Sequence, residues 1–376
     1  MPKLSVILSF SLFFLVGLAI TFGANYLLYH SVVRFFKISS LPVKHYLFIV
    51  AVILAVSFIA AEVLARWGEN NFIRIFYLAA NVWLGILVNL LLAVLLVWLV
   101  EKISNFFTFN LNTVATAAFF FILAVVFSIY GIWNAFNPRV KNLEIKINNL
   151  PAAWQGKTVV QLSDVHLGNI HRVSFLENVV EKTNALKPDL IVITGDLFDG
   201  MDGDLSVFID PLNRLQAKEG IYFVTGNHET YLGLDKVLAI LAKTKIRVLR
   251  NETVELDGLQ LVGLDYTVFS NSQNVVKNLI SAQPNFIKGA PTILLYHIPA
   301  DIKQAQAAGV SLQLSGHTHH GQIFPVQFFE WLIYGKYYYG LHQDGSFSIY
   351  TSSGVGTWGP PMRTGNVPEI VAIKLE

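Results

Sequence analysis

The chain has no cysteine among its 376 residues, which excludes disulfide staples and any thiolate-held metal. Its redox compartment is left open. Charge is scarce as well: Asp, Glu, Lys and Arg together make 14%, against roughly 25% in an ordinary soluble domain. The shortage is confined to one end. Through position 135 there are seven basic residues (Lys3, Arg34, Lys37, Lys44, Arg66, Arg74, Lys102) and three acids (Glu62, Glu69, Glu101). From totals of 27 and 25, that leaves 20 Lys/Arg against 22 Asp/Glu for the remainder, so a net +4 segment precedes a net −2 one. No basic stripe or Lys/Arg run occurs, which argues against nucleic acid as a partner.

What fills the first part is apolar. Four stretches, near 5–28, 46–65, 75–100 and 112–133, each reach the roughly 20 helical residues needed to cross a bilayer core of about 30 Å. The first is too long for a signal-peptide core, lacks a small-x-small cleavage site and is followed by three more spans, so it is read as embedded. An all-α four-helix transmembrane region is therefore expected over 1–135. With four spans both termini share a side. Lys3, Arg66, Arg74, Arg139 and Lys141 on that side outnumber Arg34, Lys37, Lys44 and Lys102 opposite, which points the soluble part toward the cytoplasm. Asn81 and Asn89 fall in the third span, where amides often join helices. No span carries a central charge, which disfavours a transporter.

Residues 136–157 read as a linker with a first edge strand at Leu143–Ile147, and 158–376 as the soluble domain. Strands are predicted at Thr158–Leu162, Leu190–Thr194, Ile221–Thr225, Arg247–Leu249, Thr253–Leu256, Gln260–Leu264, Thr292–Tyr296, Ser311–Leu314, Ser346–Thr351 and Glu369–Lys374. Helices are predicted at Val173–Leu186, Ser206–Ala217, Leu234–Lys243, Val275–Ala282 and Ala300–Ala308. This alternation is that of an α/β layered sandwich.

Five short motifs follow five of those strands: Asp164-Val165-His166, Gly195-Asp196-Leu197-Phe198-Asp199, Gly226-Asn227-His228-Glu229, Tyr296-His297-Ile298-Pro299 and Gly316-His317-Thr318-His319. A lone histidine is more often structural than ligating, and Asp-x-His alone is common by chance. Several such residues at strand ends, without cysteine, are harder to attribute to chance. Ligand binding at the carboxyl ends of strands is the rule in open α/β sheets. Oxygen and imidazole donors delivered singly or in pairs suit two hard or borderline ions, and phosphate-ester hydrolysis is the reaction that most naturally needs such a pair. Asp164 and His166, two apart in an extended segment, can chelate one ion, and the two oxygens of Asp196 can bridge a pair. Asn227 offers an amide oxygen, while His297, His317 and His319 offer imidazole nitrogens. Asp199 either orients a ligand or His228, or fixes the turn. His228, beside Asn227, is the candidate to stabilise the transition state or to protonate the leaving oxygen.

The five motifs, in order and approximate spacing, resemble the calcineurin-like metallophosphoesterase superfamily, over roughly residues 143–376. The run from Gly316 through Gln322 and the Gly354-Val355-Gly356-Thr357 tail are similar to its membrane-associated branch. The resemblance implies an αββα fold of two mixed sheets flanked by helices. It implies one ion on Asp164, His166, Asp196 and His319, and another on Asp196, Asn227, His297 and His317. It also implies a shared metal-bound hydroxide as nucleophile toward a phosphate mono- or diester. Glu229 stands where many members carry Asp, at a position that is not a direct ligand. The donor set suits Mn, Fe or Zn.

An aromatic run from Phe328 to Tyr339 follows the last motif. It is read either as an irregular segment packed on the core or as an apolar wall or membrane-facing ridge beside the site, suited to a lipid-linked phosphate. Arg363 has two readings, a phosphate contact or a structural ion pair. His171 is read as a loop residue, and His320 as substrate-facing or simply exposed. An alternative for the whole chain is a catalytically inactive metal-binding membrane scaffold or sensor, although retention of both Asp196 and His228 argues against a lapsed enzyme.

Overall fold

A computed structural model describes residues 4–68, 70–200, 203–266, 280 and 285–376, with side chains from Val16 onward. The chain forms two compact units. One comprises residues up to Ile132 together with Gly359–Met362, and the other comprises Trp133–Trp358 and Arg363–Glu376.

The first unit is four helices, α1 (Leu4–Phe35), α2 (Leu41–Trp67), α3 (Asn71–Phe107) and α4 (Thr113–Ala135). Among the described residues all four are long and apolar enough to cross a membrane. Most of their large side chains face outward, because lipid solvates them as well as a core would. Inside the bundle Phe35, Leu87, Val94 and Val97 form an apolar cluster, joined by small and polar groups. Ala55, Ala61, Ala80 and Ala93 are buried, the Asn89 amide donates to Ser128 Oγ at 2.9 Å, and Trp83 Nε1 donates to Asn25 Oδ1 at 3.2 Å. Asn89 thus joins α3 to α4, whereas the Asn81 amide donates to Tyr77 O of its own helix.

The second unit is a two-sheet sandwich. Its strands are β1 (Arg139–Ile145), β2 (Thr158–Leu162), β3 (Leu190–Thr194), β4 (Ile221–Val224), β5 (Ile246–Val248), β6 (Glu252–Leu256), β7 (Leu259–Gly263), β8 (Thr292–Leu295), β9 (Leu312–Ser315), β10 (Gly340–Asp344), β11 (Phe347–Thr351) and β12 (Glu369–Leu375). One mixed sheet runs β1-β12-β2-β3-β4-β5 and the other β10-β11-β9-β8-β7-β6. The inner faces meet through Val159, Leu190, Val192, Val224, Leu261, Ile293, Leu295, Leu314 and Ile373. The alternate residues Val160, Leu162, Ile191 and Ile193 face outward onto α5 (Val173–Ala185), α6 (Ile209–Asn213) and α8 (Leu234–Leu241). On the second sheet, Val262, Leu294 and Ile349 pack with Ala305 and Ala308 of α9 (Ile302–Ala308). Strands buried on both faces explain why their sequences are continuous apolar runs.

Two expectations differ from the structure, and one short helix was not foreseen. The helix expected over Ser206–Ala217 is a 3₁₀ turn at Leu205–Phe208 and the five-residue α6, because Pro211 fits only a first helical turn. The aromatic run is no irregular segment but a helix, α10 (Gln327–Tyr334), followed by a 3₁₀ turn and the unforeseen β10. Asn227–Leu232 forms a short helix, α7, directly on the third motif. The helix expected over Val275–Ala282 lies almost wholly outside the described residues.

Candidate metal centre

All five motifs begin where a parallel strand ends: β2, β3 and β4 in one sheet, β8 and β9 in the other. Leaving a strand abruptly toward one point requires unusual backbone. Asp164, His166, Asp196, His317 and His319 all have positive φ, between 50° and 73°. Such conformations cost of order 1–3 kcal/mol each and persist where surrounding structure over-determines them. Two glycines let the loops approach. A Cβ on Gly226 would collide with Asp196 Oδ1, and one on Gly316 with Ser163 and the Asp164 carboxylate.

The side chains so placed converge. Ligand atoms of Asp164, His166 and His319 lie within 4.8 Å of one another, as do those of His166, Asp196 and His228, and those of Asp196, His297 and His317. In the first group His166 Nε2 faces His319 Nε2 at 3.0 Å, with Asp164 Oδ1 3.5 Å from His319 Nε2. In the third, His297 Nε2 lies 3.0 Å from Asp196 Oδ2, 3.1 Å from Asn227 Oδ1 and 3.2 Å from His317 Nδ1. Asn227 Oδ1 is 2.9 Å from His317 Nδ1. Asp196 Oδ2 also lies 3.9 Å from His166 Nε2, so the carboxylate stands between the two sets.

Backbone groups fix which nitrogens face inward. His297 Nδ1 donates to Thr194 O at 2.8 Å, leaving Nε2 for the centre. His228 Nδ1 likewise donates to Asp199 O at 2.7 Å. The Asp199 carboxylate turns instead to His166, with Oδ1 3.4 Å from Nδ1, close enough to favour a proton there though outside hydrogen-bond geometry.

Electrostatics show that the cluster suits cations. Burial opposes charge on His297, yet the Asp196 carboxylate outweighs it and lifts the imidazole to about 10. Asp196 in turn, against burial, is held well below the carboxylate range chiefly by His297. A proton on His297 therefore fills, in charge, the place a metal ion would take among Asp196, Asn227 and His317. His317 is driven down to about 3 by burial and by the charge on His297, and His319 well down by burial and His166. Neutral imidazoles beside anionic carboxylates are what divalent ions bind. The residues fit two metal ions.

The supporting roles of three residues do not show in the motifs, because these residues act through backbone or through one another. The Glu229 carboxylate accepts N–H bonds from Asp196 at 3.0 Å, Phe198 at 3.2 Å and Gly226 at 2.7 Å, tying the loops after β3 and β4 together. Ser163 Oγ donates to Asp164 Oδ2. Arg363 is fully buried and, among the described residues, makes no ion pair: its guanidinium donates to the carbonyls of Ser353, Gly354, Gly356 and His319 and to Asn366 Oδ1. His171 lies in the loop between β2 and α5. It is buried, and its Nε2 accepts the Thr357 N–H at 3.0 Å. His320 stacks on Tyr339 with centroids 3.9 Å apart, and burial lowers it to about 4.

Comparison with known proteins agrees with this geometry. The model of the calcineurin-like phosphoesterase family matches residues 157–321, which contain all five motifs. An uncharacterized metallophosphoesterase of Helicobacter pylori is 35% identical over 241 residues, 63% of this chain and 64% of that protein, so the match spans a little under two thirds of its length. One from Aquifex aeolicus is 34% identical over 265 residues, 68% of this chain and 98% of that protein. A Bos taurus protein named transmembrane protein with metallophosphoesterase domain is 34% identical over 278 residues, 68% of this chain and 61% of that protein.

Proposed function

Since the chain belongs to the calcineurin-like metallophosphoesterase family, we propose that it is a membrane-anchored, metal-dependent hydrolase of phosphate mono- or diesters acting through a dinuclear centre. The observation that carries this reading is the convergence of seven donors from the carboxyl ends of five strands onto two adjoining points that share Asp196. Asp164, His166, Asp196 and His319 would hold one ion, and Asp196, Asn227, His297 and His317 the other. When bound, such ions polarise the phosphate and lower the pKa of the water that attacks it.

The chain's own groups do the rest. Asp164 and Asp196 supply the negative charge that retains cations in a buried site. Asp199 orients His166 by its carboxylate and His228 by its carbonyl. Because His228 Nδ1 is engaged there, the proton it exchanges with the leaving oxygen travels on Nε2. Burial lowers the His228 pKa, so it is neutral until an anionic phosphate arrives to favour its charged form. A lipid-linked phosphate is the proposed substrate class, supported by the apolar α10 beside His317, whose ring lies 6.0 Å from that of Tyr334. The basic-residue count supports a cytoplasmic catalytic unit.

Full-length protein loaded with Mn, Fe or Zn should carry close to two equivalents of metal and hydrolyse an aryl phosphate ester. Asp196→Asn should lose both metal and turnover. His228→Ala should keep its metal and lose about 10²–10⁴-fold in kcat. Full turnover in both variants would overturn the assignment.

A further inference from the structure

α10 wears its polarity inside out. Gln327, Glu330 and Tyr334, at spacings of three and four, are its half-buried residues. Phe328, Phe329, Trp331, Leu332 and Ile333 are 58, 62, 54, 70 and 70% exposed. No residue of the helix is buried. A surface helix ordinarily turns its apolar stripe to the core, so this arrangement needs an apolar environment outside the domain. Phe324 and Val326, also exposed, extend the patch ahead of the helix.

We propose that the outer face of α10 lies in the interfacial layer of a lipid bilayer and holds the mouth of the metal centre at headgroup level. Three features favour a bilayer over a protein partner. The chain already carries four helices long and apolar enough to cross a membrane, so a bilayer is always close to it. The face combines Trp and Phe with Leu and Ile, the mixture of interface-seeking rings and aliphatic side chains found on helices that lie in the membrane plane. Lys336, exposed just beyond the helix, supplies a cation for anionic headgroups, and the one acid of α10, Glu330, is not among the exposed residues. Tyr334 links this face to the centre through its ring contact with His317. A phosphate carried on a lipid would thus need little extraction to reach the ions. The exposed apolar face calls for this placement whichever ester the centre hydrolyses.

The absence of cysteine makes the test direct. Single cysteines at Phe329→Cys, Leu332→Cys and, as control, Lys218→Cys would each carry an environment-sensitive fluorophore in full-length protein reconstituted into phosphatidylcholine–phosphatidylglycerol vesicles. Lys218 is 77% exposed and precedes β4, at the opposite strand end from the centre. Nitroxide-labelled lipids should quench the labels at 329 and 332 at least threefold more than the label at 218. Equal quenching at all three positions would overturn the proposal. So would copy-to-copy crosslinking through position 329 without lipid quenching, which would make a second copy the occupant. Bound metal, measured on each labelled protein, confirms a folded domain, and the two helix positions test the same claim independently.

Discussion

Arg363 is a buried cation whose partners are carbonyl dipoles, with no carboxylate in ion-pair contact among the described residues. Burial lowers it to about 10, so it remains charged at neutral pH and each N–H it gives up would be missed. Replacing it with methionine leaves the Ser353, Gly356 and His319 carbonyls without that donor. The expected cost is about 3 kcal/mol, read as a fall in melting temperature, with bound metal dropping toward one equivalent as His319 shifts. Arg363→Lys should not rescue, since three ammonium donors cannot replace a planar fork. His171 gives a pH signature. Burial first, then the charges of His166 and Arg363, push it to about 3 in the fold, against 6.5 unfolded. Unfolding therefore takes up a proton below pH 6.5, so the stability it contributes is complete above 6.5 and is lost as pH falls toward 3. The slope approaches about 1.4 kcal/mol per pH unit, and His171→Asn should flatten the melting-temperature profile of metal-loaded protein between pH 6.5 and 5. Neither residue's role was legible in sequence. Asp164 or His317 stands out because its chemistry lies in its side chain at a strand end, whereas Arg363 and His171 act on backbone groups that carry no motif of their own.

The central strands were legible because they are short, mostly apolar runs, and burial on both faces keeps most positions apolar, with Gln161, Gln260 and Gln313 as buried polar exceptions. What connects them was less so. α10 defeats periodicity reading: eight residues with apolar side chains on most of its surface show no clean amphipathic stripe, and the polar ones face inward. α7 was hidden beneath the third motif, where Asn227 and His228 drew attention as chemistry while Glu229 was building a helix N-terminus. That carboxylate is the tie between two ligand loops. Glu229→Gln keeps the shape but replaces one acceptor oxygen with a donor amide, which must then face at least one of the three N–H groups now bound. Metal affinity should weaken about 10–100-fold, measured by competition with a chelator, and turnover should recover in part at saturating metal. An unchanged affinity would mean that the loops hold their positions without it.

Charge partition along the sequence sets an apolar, basic segment ahead of an ordinary acidic domain, and the two compact units of the structure divide between Ile132 and Trp133. One thing composition could not supply is the return of Gly359–Met362 to the first unit, because four residues carry no compositional signal of their own. Sidedness rests on finer balance. Arg34, near the end of α1, donates to Glu101, near the end of α3, at 2.7 Å. Those two ends therefore share a side, as alternate crossings require. On the topology expected from the sequence, Lys37, Lys44 and Lys102 count with them and Lys3, Arg66, Arg74, Arg139 and Lys141 count opposite. Acids weigh little in the positive-inside rule, so the Arg34–Glu101 pair does not remove Arg34 from the count, and the margin stays at one residue. A margin that small is open to reversal, which gives the prediction a sharp control. In vesicles of known orientation, protease added outside should spare the second unit when vesicles are right-side-out and digest it when they are inverted. Adding two lysines to the loop at 36–40 should then produce a mixed population in which part of the second unit becomes accessible from the other side. Digestion confined to right-side-out vesicles of the unaltered protein would place the catalytic unit on the outer face.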